Sequence, residues 1–329
     1  MAASSKRERV FAALKGSVAD RVPISLWGHF PSDPHRAEDL AAETIAFQQK
    51  YDWDFVKFMP SGMYYPEALG CALTPAAGPG AVNSLADSIV KRPEDWERLP
   101  VPDPREGWLA EHVRAVKLVR EALGADVPII QTLFSPLTVA HKLSLHLPFE
   151  ESLSRHRARL EAGLRAIAAG SKRFAEATLA AGADGFFFAT QEANHDTLSE
   201  GDFLALGKAY DLDVLRAIEG QATFNLLHVC RVNIMAEAVA DYPVQAINWD
   251  SDHTRPALGE ARSIWKQALV GGLDRHGAIL GGTPDDVASE VRQAIADAGP
   301  AGLIVSAGCA LPVACPEANL RAARRAVEG

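Results

Sequence analysis

The sequence predicts an α/β protein, a single (β/α)8 TIM barrel spanning residues 1–329 with a helical extension at its N-terminal end. Three observations predict it. Eight short β-prone runs alternate with longer helical patterns, which implies right-handed βαβ units and a parallel sheet. Several runs are almost continuously apolar, as strands covered on both faces must be. No G-x-G-x-x-G follows the first run, and no G-x-x-x-x-G-K-[ST] occurs anywhere, so an open nucleotide-binding sheet lacks its phosphate cradle.

The predicted strands are, in order, "RVPISLWGHF" (21–30), "DFVKFMP" (54–60), "DVPIIQTLF" (126–134), "GFFFAT" (185–190), "TFNLLHVC" (223–230), "QAINWD" (245–250), "ALVGGLD" (268–274) and "GLIVSAGC" (302–309). Between them lie helical patterns such as 149–182 and 284–299. The latter has Pro284 in its first turn and Gly299-Pro300 as its stop. A Gly-Ala-Asp connection leads from helix to strand twice, at 124–126 and at 182–184. "TPAAGPG" (74–80) and "KRPEDWERLPVPDP" (91–104) read as loop and irregular connection.

Composition narrows the function. A 329-residue chain that is 48% hydrophobic can bury a large core, and its formal charge of −9 is ordinary for an acidic soluble protein. No basic run or stripe stands out, which argues against nucleic acid as a partner. The opening "MAASSKRERVFAALKG" has no signal-peptide core, and no run approaches 18 continuous apolar residues, so a cytoplasmic protein with no membrane partner is expected. The four cysteines, Cys71, Cys230, Cys309 and Cys315, are scattered, which in a reducing compartment argues against a disulfide framework.

In a barrel, chemistry belongs at the carboxyl ends of the strands. Read in order, those ends carry His29, Ser61, Phe134 and Ser135, Gln191 and Glu192, His228 and Cys230, Asp250, Asp274, and Cys309. His228 and Cys230 stand two apart, on one face of a strand end. With Cys309 from the last strand they form a Cys2His set, which suits a catalytic zinc with one position left open. Zn²⁺ with two thiolates and an imidazole has no net charge. It is a weak Lewis acid for hydrolysis, yet it holds a substrate thiol as thiolate. The alternative is that both cysteines are small buried hydrophobes and His228 a hydrogen-bonded core residue. Cys71 and Cys315 read as structural, with Cys315, just before Pro316 at a helix start, as an alternative ligand.

These residues resemble the uroporphyrinogen decarboxylase superfamily. The blocks that carry the likeness run from "RERVFAALKGSVADRVPISLW" through "YYPEALGCALT", "SPLTVAHKL", "LSEGDFLALGKAYDLDVL" and "LLHVC…VQAINWD…LVGGLD" to "GCALPVACPEANLRAA". Within it the chain is similar to the zinc-dependent branch that includes the methylcobalamin:coenzyme M methyltransferases. The haem-pathway decarboxylase grips porphyrinogen carboxylates with an arginine-rich loop and meets the pyrrole nitrogens with an aspartate. Here the matching positions are "LWGHFPSD", without arginine, and Ser61. A polycarboxylate macrocycle would lose both its cations and its acceptor.

The methyltransferase branch carries His-x-Cys at the fifth strand and Cys at the eighth, matched by His228, Cys230 and Cys309. The resemblance implies Zn²⁺ and a methyl group passed to a small thiol from methylcobalamin or another corrinoid. That donor is free or on a separate carrier protein, since the chain shows no corrinoid module. The resemblance also suggests a homodimer. The branch usually follows the cysteine with glycine; here stands Arg231, either a clamp for a substrate acid or a solvated loop residue. His29 is expected to contact substrate or donate a proton, or else to cap local backbone, Gln191 or Glu192 to supply an exchangeable ligand or a substrate hydrogen bond, and Asp250 and Asp274 to orient ligands or cap helices. Two other readings stand beside this one: decarboxylation of a smaller carboxylated molecule, using His29 and the barrel-top aspartates, and tetrapyrrole or partner binding without turnover.

Overall fold

Continuous apolar runs such as "GFFFAT" become strands buried along their whole length, and they build the fold. The computed structural model describes residues 4–30, 32, 35–75 and 83–328. Its strands are β1 (Val56–Phe58), β2 (Ala72–Thr74), β3 (Ser84–Asp87), β4 (Ile129–Phe134), β5 (Gly185–Thr190), β6 (Leu226–Val229), β7 (Ala246–Trp249), β8 (Ala268–Leu273) and β9 (Leu303–Ala307). Seven of them form one curled parallel sheet in the order β1-β4-β5-β6-β7-β8-β9, while β2 and β3 pair as a small antiparallel hairpin. That hairpin flanks part of the segment expected to be loop; residues 76–80 of it lie outside the described residues.

The first expected strand, 21–30, is not a regular strand, and this corrects the sequence expectation. It closes the barrel all the same, through single parallel bridges from Ile24 to Val305 and from Gly28 to Leu311. The reason is a shortage of free backbone donors. Pro23 has none, and the Ile24 N–H is taken by the Asp54 carboxylate at 2.8 Å. What remains is enough to join β9 to β1. Ser25 N donates to Val305 O at 3.1 Å, Val305 N to Pro23 O at 2.8 Å, and Asp54 N to Ile24 O at 2.9 Å.

An ionic cluster locks the amino-terminal face of this seam. Asp54 is fully buried and accepts from Arg9 Nη1 at 2.7 Å and from Arg21 at 2.7 and 2.9 Å. Arg9 belongs to the helical extension, Lys6–Leu14, whose start is fixed by a Ser5–Glu8 capping box. Conserving geometry at this face serves stability, which leaves the opposite face for chemistry. The expected helix 149–182 breaks at His156 into Phe149–Arg155 and Arg157–Ala180; Pro284–Ala298 starts on a Thr283–Asp286 capping box. Trp53, Trp96, Trp249 and Trp265 fill the core with no more than 1% exposure each. Among the described residues no helix is long and apolar enough to cross a membrane.

Candidate metal centre

His228 lies near the end of β6, Cys230 one residue past that strand, and Cys309 two past β9. Their ligand atoms all lie within 4.8 Å of one another. Cys309 Sγ is 3.6 Å from His228 Nε2. Cys309 reaches this point because the residue before it is glycine: a Cβ on Gly308 would stand 2.5 Å from Asp250 Cα. Only glycine lets the two strand ends approach so closely.

Asn248 decides which imidazole nitrogen is available. It sits opposite His228 in the β6–β7 register. Its Nδ2 donates to Val270 O at 2.8 Å and Ala307 O at 3.0 Å, so its Oδ1 must be what faces His228 Nδ1, at 2.6 Å. Nδ1 therefore carries the proton, and Nε2 presents its lone pair toward the two sulfurs. The ring is 3% exposed and stacks on Phe187 at 4.9 Å. This is the outer-shell support that a metal-binding histidine requires.

The two thiols share a proton. Cys230 donates toward Cys309, and this holds the Cys309 pKa well below the ordinary thiol value, with His228 and Arg275 adding to the effect. The same contact, with burial, pushes Cys230 well above it. Half-buried sulfurs so close resist ionising together without a cation between them. Two thiols and one neutral imidazole nitrogen converging where His228 is buried and both cysteines are half-buried fit a tetrahedral Zn²⁺ with a fourth position free.

Cations border the triad. Lys57, inward-facing on β1, is 9% exposed and lies 4.4 Å over the Phe187 ring. Burial pushes its pKa down to about 7, against a small rise from Cys309. Lys142 stands 4.8 Å over Phe134, its pKa lowered by burial and raised in part by Glu192 and Cys230. Neither amine makes an ion pair among the described residues.

The other expected site residues fall into two groups. His29 belongs with the triad: burial, then the Lys57 charge, lower its pKa to about 4, while Cys309 raises it. A neutral imidazole can accept a hydrogen bond there, but at neutral pH it neither holds an extra proton nor has one to donate as an acid. His29 also lines a 340 Å³ cleft walled by Phe30, Phe47, Leu311 and Pro312, enough room for a small organic molecule. Arg231 borders the triad on the rim, exposed to solvent. Asp250 flanks Gly308 and holds His253 Nδ1 at 3.0 Å.

The rest are engaged in local structure. Glu192, 1% exposed, takes the Thr138 hydroxyl on one oxygen and His141 Nδ1 at 3.0 Å on the other. Gln191 N donates to Thr138 Oγ1 at 3.0 Å. Ser61 Oγ accepts from Met63 N at 3.3 Å, and Asp274 Oδ1 accepts from His276 N at 2.9 Å, each stabilising its own turn. Cys71 is buried, and burial raises the half-buried Cys315 to about 11, so both thiols are inert. Sequence reasoning missed Asn248, Lys57, Lys142 and Arg275. For Asn248 and Lys57 the signal was a single polar residue inside an otherwise apolar strand.

The chain belongs to the uroporphyrinogen decarboxylase family, whose model it matches over residues 5–329. It is similar to the methylcobamide:CoM methyltransferase MtbA of Methanosarcina acetivorans, at 23% identity covering 96% of this chain and 95% of that one. It is also similar to a uroporphyrinogen decarboxylase of Tolumonas auensis, at 26% identity over 78% of this chain and 72% of that one. Among solved structures, a methyltransferase from Methanosarcina mazei has the same fold, with TM-score 0.86 at 22% identity and 98% of each chain covered.

Proposed function

We propose that this chain is a methyltransferase that holds zinc on His228, Cys230 and Cys309 and passes a methyl group from a corrinoid to a small thiol. The observation that carries the reading is the convergence of the three ligand atoms within 4.8 Å, with Asn248 fixing the His228 tautomer. The similarity to methylcobamide:CoM methyltransferases over nearly the whole chain supports the choice of reaction.

Zinc bound there would supply the charge that keeps a substrate thiol ionised near neutral pH. The chain's own residues do the rest. Asn248 holds the His228 ring in place, Phe187 covers its face, and uncharged His29 orients the thiol by accepting a hydrogen bond at a ring nitrogen, the proton itself leaving to water. Lys57 and Lys142 favour negative charge on the incoming sulfur. The methyl group moves without its bonding electrons, which stay with the corrinoid cobalt as the carbon–sulfur bond forms.

Protein purified without chelator tests the reading. Wild type should carry about one zinc per chain and convert methylcobalamin in the presence of a thiol, followed by its visible spectrum; Cys309→Ser should lose both. A wild type that takes up no zinc even when it is supplied would sink the proposal. Decarboxylation is the second reading, favoured by relatives of that name and by the unpaired cations Lys57 and Lys142, which could receive a carboxylate.

A further inference from the structure

Gly28 and Leu311 form the last bridge of the barrel seam among the described residues. They pack so closely that a Cβ on Gly28 would stand 3.1 Å from Leu311 O, while Leu311 N donates to Trp27 O at 2.8 Å. Past that bridge, His29 and Phe30 on one segment and Pro312 and Val313 on the other become walls of the 340 Å³ cleft. Its outer wall is the helix Ala37–Tyr51, which contributes Phe47 and Tyr51.

The cleft begins beside the metal centre. Leu311 follows Cys309 by two residues, and two residues of chain span at most about 7 Å. Behind the cleft a smaller hollow shares Gly28, Phe30 and Phe47 with it and is walled by Trp27 and Lys57. The Trp27 ring lies 5.4 Å from Phe187, which in turn stacks on His228. Both segments of the seam therefore run from the triad into the cleft.

The lining indicates what fills it. Phe30 and Tyr51 meet Phe47 edge-on, at 6.2 and 4.9 Å, an arrangement that suits a further flat apolar ring. Its carboxylate and amine are already engaged: Lys50 pairs with Glu317 at 2.7 Å, and Glu43 accepts from Ser32 Oγ at 3.3 Å. An anionic guest would shed water there with no free cation in return, and it would face Glu43. An uncharged guest incurs no such cost and gains from burying its apolar surface.

We infer that this cleft binds the body of the acceptor, an uncharged thiol bearing one aromatic or alicyclic ring, with its sulfur directed past His29 to the metal centre. The inference rests on the proposed thiol methyltransfer and names its substrate class. Aromatic walls and a volume suited to one ring then set specificity, while the triad supplies the chemistry.

The test uses full-length protein loaded with cobalt and titrated with phenylmethanethiol, 2-mercaptoethanol and 3-mercaptopropionate, reading the thiolate-to-cobalt absorption band. Wild type should bind phenylmethanethiol about tenfold or more tightly than either of the others. Ala46→Trp, at an exposed helix position lining the cleft, should bring that ratio close to one with the cobalt still bound. Val313→Trp fills the cleft from the opposite wall and should do the same. Benzyl methyl sulfide, the product of such a transfer, needs no free thiol. It should shift the methyl resonances of Leu311 and Val313 in metal-free protein, and unmoved resonances would count against the cleft. A ratio near one in wild type, tightest binding of 3-mercaptopropionate, or a preference that survives both tryptophans overturns the inference while leaving the thiol site standing. If no thiol gives the band in cobalt-loaded wild type, the thiol reading itself fails and the inference falls with it.

Discussion

Asn248 accepts the Nδ1 proton of His228 at 2.6 Å while spending both of its own amide protons on Val270 and Ala307. The amide cannot rotate without losing two buried hydrogen bonds, so the imidazole is held in one tautomer before any metal arrives. Asn248→Ala should therefore weaken zinc affinity by about 10–100-fold. Competition against a chromophoric chelator measures this, and nitrogen NMR shifts of His228 should show tautomer mixing. Unchanged affinity would mean that the strand alone positions the ring.

Cys309 joins the site from the far end of the chain, so its loss should remove metal without unfolding the barrel. For Cys309→Ser the expected outcome is loss of bound zinc with the far-ultraviolet circular dichroism intact. Cys315→Ser, half-buried on the adjacent segment, should keep its zinc. Equal zinc in all three proteins would place the ion elsewhere.

Lys57 should make stability depend on pH in a defined direction. Its pKa falls from an ordinary 10.5 to about 7 through burial. Between those values the unfolded chain holds a proton that the folded one lacks, so this residue makes the fold more stable as pH rises from 7 toward 10.5, by at most about 1.4 kcal/mol per pH unit. Below pH 7 both states are protonated and the cost of burying the charge is present in full. Subtracting Lys57→Met from wild type in urea titrations across pH 7–10 should reveal that slope. A flat difference would show that the amine reaches water.

Asp54 holds two guanidinium groups and the Ile24 N–H in a site where it has no exposure. Asp54→Ala strands buried cations and frees the seam, which should cost about 3–5 kcal/mol of unfolding free energy in urea. The protein that remains folded should still bind zinc, since the cluster lies at the opposite end of the barrel.

Much of this was legible because parallel strands announce themselves as apolar runs. "GFFFAT" is β5 residue for residue, and the other interior runs need only trimming at their ends. The first run misleads because its apolar pattern is sound but its donors are spent on a proline and a side chain, which periodicity does not reveal. The β2–β3 hairpin stays hidden because its strands are only three and four residues long and none of their side chains is buried. His228, Cys230 and Cys309 stand out since ligand-type side chains gather where strands end. Glu192 looked the same in sequence, yet its partners Thr138 and His141 come from the helix Pro136–Leu143, 54 and 51 positions earlier, a contact made only by folding. Asn248 and Lys57 acquire meaning the same way, from neighbours far along the chain.

The seam between residues 21–30 and β9 has a consequence for how the molecule comes into being. Ser306 Oγ donates to Ser25 O across 281 positions of chain, and Cys309 lies just beyond. Such a long-range junction forms late, since the loop it closes spans 281 positions. On a ribosome, the early strands must wait with an open edge until the last one emerges. His228 and Cys230 wait with them, as an incomplete ligand pair. The proposed three-ligand site is therefore completed only once Cys309 has joined the other two across this seam.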